Sequence, residues 1–217
     1  MRGLLEKDFR LAFVKKQTIL IFLMMSVIMG MTMDGAFVVG YLTMLSTIVA
    51  VGTISYDEYD NGFSFLMTLP FDRKTYVREK YLFCLMISVA AWLVGTVLYG
   101  ISLAFRPGEV SLMQELPMLV AVIPVMYLSS CILIPLQLKY GSEKSRIVLW
   151  LVFGGIAVVI IAARRFTDAG EKPLSGLVSM LESTSPAVLI LVVTAVCALI
   201  ACASCLWSTR IMEKKEF

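Results

Sequence analysis

The residues of this chain that could do chemistry are few, and their types restrict the chemistry. The sequence has no histidine, so the commonest general base and metal ligand is missing. The densest acidic group is Asp57, Glu58 and Asp60, whose carboxylates are ligands that suit Mg²⁺. A metal-dependent enzyme acting on lipid head groups is therefore one hypothesis, but the sequence shows no second acidic cluster to complete such a site.

A cysteine pair offers a second kind of chemistry, because Cys202-Ala-Ser-Cys205 spells C-x-x-C. A zinc site would need further ligands, and the sequence has neither histidine nor a second C-x-x-C. All the cysteines lie inside apolar runs, where they are expected to pack between helices. These cysteines are Cys84, Cys131, Cys197, Cys202 and Cys205. The chain also lacks the G-x-x-x-x-G-K-[S/T] pattern, so ATP binding through a P-loop is excluded.

Six long apolar runs decide the fold class. Each is close to the roughly 20 residues that cross a hydrocarbon core, and apolar runs of this length in lipid must be helices. They span Gln17–Met33, Ala36–Ile54, Tyr81–Phe105, Leu116–Leu138, Ile147–Ala163 and Ala187–Ser208. The sequence therefore predicts an all-α polytopic membrane protein with six transmembrane helices. A single transmembrane domain covers 1–217, divided into 1–16, 17–54, 55–80, 81–208 and 209–217.

The distribution of positive charge predicts the orientation. Fifteen of the 19 Lys and Arg residues fall in the segments that share a side with the N-terminus. The other side holds four, namely Arg106, Arg164, Arg165 and Lys172. Because excess Lys and Arg marks the cytoplasmic side, both termini are predicted to be cytoplasmic. No loop combines a dense basic cluster with aromatic residues, so nucleic acid is not an expected partner.

Two amphipathic segments flank the predicted spans. In Met1–Lys16, apolar residues recur at helical spacing opposite charged ones, which indicates a helix on the inner membrane surface; a frayed basic tail is the alternative. Outside, before the sixth helix, Pro173 can start a short helix with leucines on one face up to Leu181. This second helix is expected to dip into the outer leaflet.

The fourth apolar run contains Pro117, Pro124 and Pro135, which remove helical hydrogen bonds and bend the axis. Ser129–Cys131 are small or polar residues near its middle, suited either to helix contacts or to a pathway lining. None of the apolar runs carries a charged residue in its central part. If the protein moves a solute uphill, the energy is therefore expected from another subunit.

The loop 55–74 carries the strongest pattern. Tyr59, Phe63, Leu66 and Met67 lie on one face of a possible helix whose acidic start suits the helix dipole. Pro70 ends that segment, and Asp72 can cap the next helix, which enters the membrane at Tyr81. The pattern fits a peg for a cytoplasmic partner and fits equally an amphipathic surface helix with solvated charges.

This loop resembles the stretch between helices 2 and 3 of ABC-2-type transporter permeases. The matching residues are Glu58, Gly62, Leu66, Leu69-Pro70, Arg73 and Lys80-Tyr81. The amphipathic leader, the six helices and the inside termini are similar as well. The small size is similar to that of bacterial peptide exporter and immunity permeases, such as the phenol-soluble-modulin exporter group.

The resemblance implies a membrane subunit without its own catalytic site, in a bacterial cell membrane. Two permease copies, identical or related, would each dock one cytoplasmic ABC ATPase, which binds ATP and Mg²⁺, through a coupling helix at Tyr56–Leu69. ATP binding would then drive export of amphipathic peptides or other hydrophobic cargo. The coupling residues would be Tyr56, Asp57, Glu58, Tyr59, Gly62, Phe63, Leu66, Leu69, Pro70 and Arg73.

The resemblance also implies that helices 1, 2 and 5 line the path. Their many Met side chains would give a pliable apolar surface, although lipid-facing packing is the alternative. These are Met24, Met25, Met29, Met31, Met33 and Met44. A membrane immunity or scaffold protein that works without ATP remains a competing hypothesis.

Overall fold

The computed structural model of the chain describes residues 2–14, 16–30, 35–59, 62–66, 68–104, 112–167 and 186–215, with the backbone alone described at 148–167 and at scattered further positions. The described residues form α-helices and turns. The helices are α1 (Arg2–Val14), α2 (Lys16–Gly30), α3 (Gly35–Glu58), α4 (Gly62–Leu66), α5 (Arg73–Ala104), α6 (Leu112–Thr167) and α7 (Pro186–Lys214).

Four helices in the described part of the chain are long and apolar enough to cross a membrane, or five if the bent pair α1–α2 counts as one span. They are Phe37–Glu58, Arg73–Leu103, Glu115–Gly141 and Val188–Lys214. The all-α polytopic class is thus confirmed. The count of six spans stays a prediction, because the fifth predicted run lies largely where only the helical backbone is described.

The helices extend beyond the apolar runs at one end of the bundle. α3 continues to Glu58 instead of ending near Ile54, and α5 begins at Arg73, directly after Asp72, where the sequence placed the start of this helix. Polar residues can continue a helix when neighbouring helices bind their side chains, as they do here. The apolar runs therefore mark the lipid-embedded length and not the helix length.

The fourth and fifth apolar runs are joined at a kink in α6. The chain is helical on both sides of a break at Gly141, which has φ 76° and ψ 174°. A positive φ is the region that glycine enters without steric cost. Pro117, Pro124 and Pro135 lie inside the helical part before that break.

One further prediction falls outside the described residues, namely the amphipathic helix from Pro173 to Leu181. α1 matches the predicted leader helix, but its face is partly different: Leu4, Asp8 and Ala12 are buried against the chain itself, while Phe13 is exposed.

The core is largest at the end of the bundle where α1, α4 and the extensions of α3, α5 and α7 meet. Its buried members include Ile54, Tyr76, Phe83, Leu138 and Met212. A smaller core towards the other end joins Val39, Tyr99 and Leu119, and the Trp92 indole donates to the Leu119 carbonyl at 2.8 Å. Between the two, the hydroxyls of Thr47 and Ser88 lie 2.9 Å apart and join α3 to α5.

Candidate functional site

A buried cluster of charges joins α1, α3 and α5 at the end of the bundle that carries the large core. The Lys80 ammonium binds Asp8, lies 2.8 Å from Asp57 Oδ2 and donates to Thr53 Oγ1 at 3.0 Å. Lys7 donates to Asp57 Oδ1 at 2.5 Å, and the Tyr76 hydroxyl donates to Asp57 Oδ2 at 2.9 Å. We call these residues the charge cluster.

The charge cluster is buried except at Lys7, whose side chain is 29% exposed. Lys80 and Asp8 are 0% exposed and Asp57 is 5% exposed. Two lysines face two aspartates, and buried charges are tolerated when they are paired and hydrogen-bonded. The neighbouring Glu79 is also buried, but neither of its oxygens has a hydrogen-bond partner among the described residues.

The junction of α3 and α4 is tightly packed. Asp57 and Glu58 belong to the last turn of α3, and a Cβ at Gly62 would lie 2.7 Å from the Asp57 carbonyl oxygen. Only glycine fits there without a shift of the backbone. The chain thereby turns sharply enough for Phe63 to reach Tyr76, with the ring centroids 5.8 Å apart and edge-to-face.

Arg73 caps the end of α7. Its Nη1 atom donates to the carbonyls of Met212, Glu213 and Lys215 at 3.0, 2.9 and 2.9 Å. The last carbonyls of a helix have no partner within the helix, and a guanidinium with several donors can satisfy them together. The resemblance implied that Arg73 is one of the coupling residues; the structure adds this contact with α7.

Lys215 lies where four elements meet. Its Nζ atom is 4.8 Å from the centroid of the Phe63 ring, 4.0 Å from Glu58 Oε1 and 3.3 Å from the Leu138 carbonyl. The Glu58 carboxylate in turn lies against the break in α6, since a Cβ at Gly141 would lie 2.5 Å from Glu58 Oε1.

Tyr81 joins α5 to α7. Its hydroxyl lies 2.6 Å from Ser204 Oγ and 2.8 Å from Ser208 Oγ. Ser204 also donates to the Cys131 carbonyl of α6. Ser204 and the Cys131 backbone therefore join α7 to α6, whereas the Ser129 and Ser130 hydroxyls donate to carbonyls of α6 itself and Ser129 lines a cavity. The cysteines are free, and Cys84, Cys131 and Cys197 are buried as expected for packing residues.

The predicted coupling residues separate into an inward and an outward set. Asp57, Phe63 and Leu66 are buried, and Glu58, Gly62 and Arg73 are partly buried. The outward set is exposed and mostly aromatic or apolar. It comprises Tyr56 at 45%, Tyr59 at 75% and Leu69 at 40%, with Pro70 also exposed. Phe65, which the sequence pattern did not single out, is 70% exposed.

The predicted peg at Tyr56–Leu69 is not one helix. Tyr56, Asp57 and Glu58 end α3, whereas α4 is a separate helix of five residues, Gly62–Leu66. The sequence pattern placed all these residues in one helix because the loop was assumed to start where the second apolar run ends. α3 continues past that point to Glu58. The role of the segment in coupling stays a prediction.

The acidic group shows no metal-binding geometry in the described residues. Asp57 binds Lys7, Lys80 and Tyr76, and no three His, Cys, Asp or Glu side chains gather into a possible metal site within that part of the chain. Asp60 lies outside the described residues.

A cavity of about 450 Å³ lies between α1, α2, α3 and α6. Ligand pockets commonly have this size. Its lining residues in the described part of the chain are uncharged. The polar ones include Thr18, Ser55, Tyr56, Gln137 and Ser145, and the apolar ones include Phe22, Met44, Ile48, Ile132 and Leu133. The cavity can therefore hold an uncharged apolar group with a few hydrogen-bonding atoms.

The helices define a multi-pass membrane protein whose polar groups gather at one end. Residues 3–213 match the family model described as ABC-2 family transporter protein. The chain belongs to this family. It is thus the membrane permease component of a transporter, a class without a catalytic domain that works with an ABC ATPase. A search of curated proteins found no match.

Proposed function

We propose that this chain exports amphipathic peptides or other hydrophobic cargo from a bacterial cell, driven by ATP hydrolysis in two partner ATPases. The chain would pair with a second permease copy, identical or related, and have both termini in the cytoplasm. In that orientation the charge cluster and α4 face the ATPase. The fifteen-to-four distribution of Lys and Arg supports this orientation.

The docking proposal rests on one observation: the segment that contains α4 has a buried face and an exposed face. Phe63 and Leu66 anchor α4 in the core, being 4% and 8% exposed, while Phe65 and Tyr59 project outwards at 70% and 75%. Exposed aromatic side chains held on an anchored segment are suited to bind a protein partner. The docking surface would then be Tyr59, Phe65, Leu69 and Pro70, and not the buried Phe63 and Leu66.

The cavity supports the proposed cargo class. Its lining has no charged side chain in the described residues, so an ion or a highly charged solute would enter without a partner. An apolar side chain or acyl chain of a cargo molecule would fit. Met44 lies at this cavity, although its side chain is 45% exposed, as is that of Met25.

Coexpression with ABC ATPases of the same organism tests this function. The permease is purified through its own tag, reconstituted into nanodiscs and assayed for ATP hydrolysis. We expect one ATPase to copurify in equal amount and to hydrolyse ATP in a permease-dependent manner. Amphipathic peptides that stimulate this hydrolysis would identify the cargo. Absence of any associated ATPase under mild detergent would favour the ATP-independent immunity or scaffold protein.

A further inference from the structure

We propose that Lys215, at the end of α7, is a positioning residue that links the docking segment α4 to the break in α6. The inference rests on the proposed function, because it concerns how a movement of α4 reaches the membrane helices. Lys215 lies outside the family-like motif, so the sequence did not indicate this connection between α4 and α6.

The first step is that the end of α7 is fixed to the start of α5. Arg73 binds the carbonyls of Met212, Glu213 and Lys215 through one nitrogen. Lys74 and Glu213 add an exposed ion pair at 3.3 Å between the same two helices. The backbone at Lys215 is thereby held next to the start of α5.

The second step is that the Lys215 ammonium contacts three further elements at once. It lies over the ring of Phe63, the anchor of α4, and it donates to the Leu138 carbonyl, three residues before Gly141. It also approaches Glu58 at the end of α3. An ammonium has three donors and a full charge, so it can hold an aromatic face, a carbonyl and a carboxylate together.

The third step is that these contacts converge on the break in α6. A Cβ at Gly141 would lie 2.5 Å from Glu58 Oε1, and Lys215 Nζ lies 4.0 Å from the same oxygen, so Glu58 and Lys215 meet beside the break. Gly141, with its positive φ, is where the direction of α6 changes. A displacement of Phe63 would be passed through Lys215 to Leu138 and so to the residues that set this change of direction.

The variant Lys215→Met tests the proposal, because it keeps the apolar stem and removes the ammonium. Lys214→Met is the matched control, since Lys214 is the preceding residue of the same type and is exposed. Lys215→Arg keeps a cation with several donors and serves as the conservative variant.

The first measurement needs no ATPase. Hydrogen exchange of the full chain in nanodiscs follows the amides of 62–66 and 138–145. Losing a charge-assisted hydrogen bond should raise exchange in both segments by about tenfold in Lys215→Met. Lys214→Met should match the wild type, and Lys215→Arg should restore most of the protection. Unchanged exchange at 138–145 in Lys215→Met would overturn the proposal.

The second measurement separates positioning from docking. Permease in nanodiscs is titrated with the ATPase that copurifies with it, and ATP hydrolysis is recorded. Lys215→Met should lower the maximal rate by about threefold and leave the half-saturating ATPase concentration unchanged. A raised half-saturating concentration with an unchanged maximum would show a docking contact instead and overturn the proposal. If the wild type binds no ATPase, the proposed function fails, and the exchange result alone decides the link to α6.

Discussion

At the scale of single residues, the family-like motif acts largely inside the chain. Lys80 lies in the charge cluster, Tyr81 bonds α7, and Arg73 caps the same helix. Such residues build a rigid base on which a docking segment can be presented. Their contacts give a physical reason for each residue type, because a buried cation needs carboxylates and an uncapped helix end needs donors.

Replacing Lys80 by methionine should destabilise the protein strongly. Lys80→Met leaves Asp8 and Asp57 buried with Lys7 as the remaining cation, and breaking a buried pair costs about 3–5 kcal/mol. The apparent melting temperature in nanodiscs should fall markedly. Glu79→Gln is a matched control, since Glu79 is the equally buried preceding residue without a hydrogen-bond partner in the described residues. An equal fall in melting temperature in the two variants would show that loss of any buried charge destabilises the protein, whether or not the charge is paired.

The charge cluster has no direct signal in the sequence. Its members are 50 to 72 residues apart in the pairs Lys7–Asp57 and Asp8–Lys80, so no local pattern joins them. One indirect sign exists: Asp8 lies four residues from both Leu4 and Ala12, on the buried face of α1. A charge on an apolar face needs a partner, but the sequence alone does not say which one.

At the scale of elements, the two faces of α4 should respond differently to a charge. Phe63→Asp places a carboxylate in the core and should lower the melting temperature of the permease, because burial of a Phe side chain contributes about 1.5–3 kcal/mol. Phe65→Asp should leave the melting temperature unchanged and weaken ATPase binding, because Phe65 is 70% exposed. The two variants are compared by thermal unfolding and by copurification. Normal ATPase binding by Phe65→Asp would contradict the docking surface.

The break in α6 should depend on glycine. In Gly141→Ala, the Cβ would meet Glu58 Oε1 and the residue would hold φ 76°, which costs about 1–2 kcal/mol for a residue with a Cβ. We expect a lower melting temperature. Gly3→Ala is the control, because a Cβ at Gly3 meets no atom within 4 Å.

Adding Glu58→Ala to Gly141→Ala separates the two causes. The double variant relieves the steric contact but keeps the backbone strain, so it should recover part of the stability. If the melting temperature recovers fully, the positive φ at residue 141 is not strained. If it does not recover, the Glu58 side chain already moves away from the new Cβ without cost in Gly141→Ala.

The membrane spans were predictable because an uncharged apolar run of about 20 residues matches the thickness of a hydrocarbon core. The end of α3 beyond its apolar run was not, since a charged residue such as Asp57 usually marks the edge of a helix bundle facing water. Here Asp57 continues α3 because it binds Lys80 of α5. Of the two aromatic residues of α4, the sequence pattern identified Phe63 but not Phe65, and which of them points inwards depends on the turn at Gly62.

At the scale of the whole molecule, polarity is strongly asymmetric. The charge cluster, the Arg73 cap and the Lys215 contacts all lie at one end, while the smaller core near Tyr99 and Leu119 contains no ion pair among its members. The end of the bundle with the charge cluster also holds both described chain ends, namely α1 and the end of α7. The positive-inside rule predicts that it faces the cytoplasm, and that orientation would place the proposed docking surface and both termini on the side where ATP is available.

The orientation can be measured by labelling single cysteines in intact cells. The five native cysteines are replaced by serine or alanine, and one cysteine is introduced at Lys214 or at Arg106. A membrane-impermeant maleimide should label Arg106→Cys in intact cells, because position 106 follows the third apolar run on the predicted outer side. Lys214→Cys should react only after the membrane is permeabilised. Because the two positions are predicted on opposite sides, the reverse pattern would place α4 outside the cell. ATPase docking at α4 would then be impossible, and the competing ATP-independent membrane protein would be favoured.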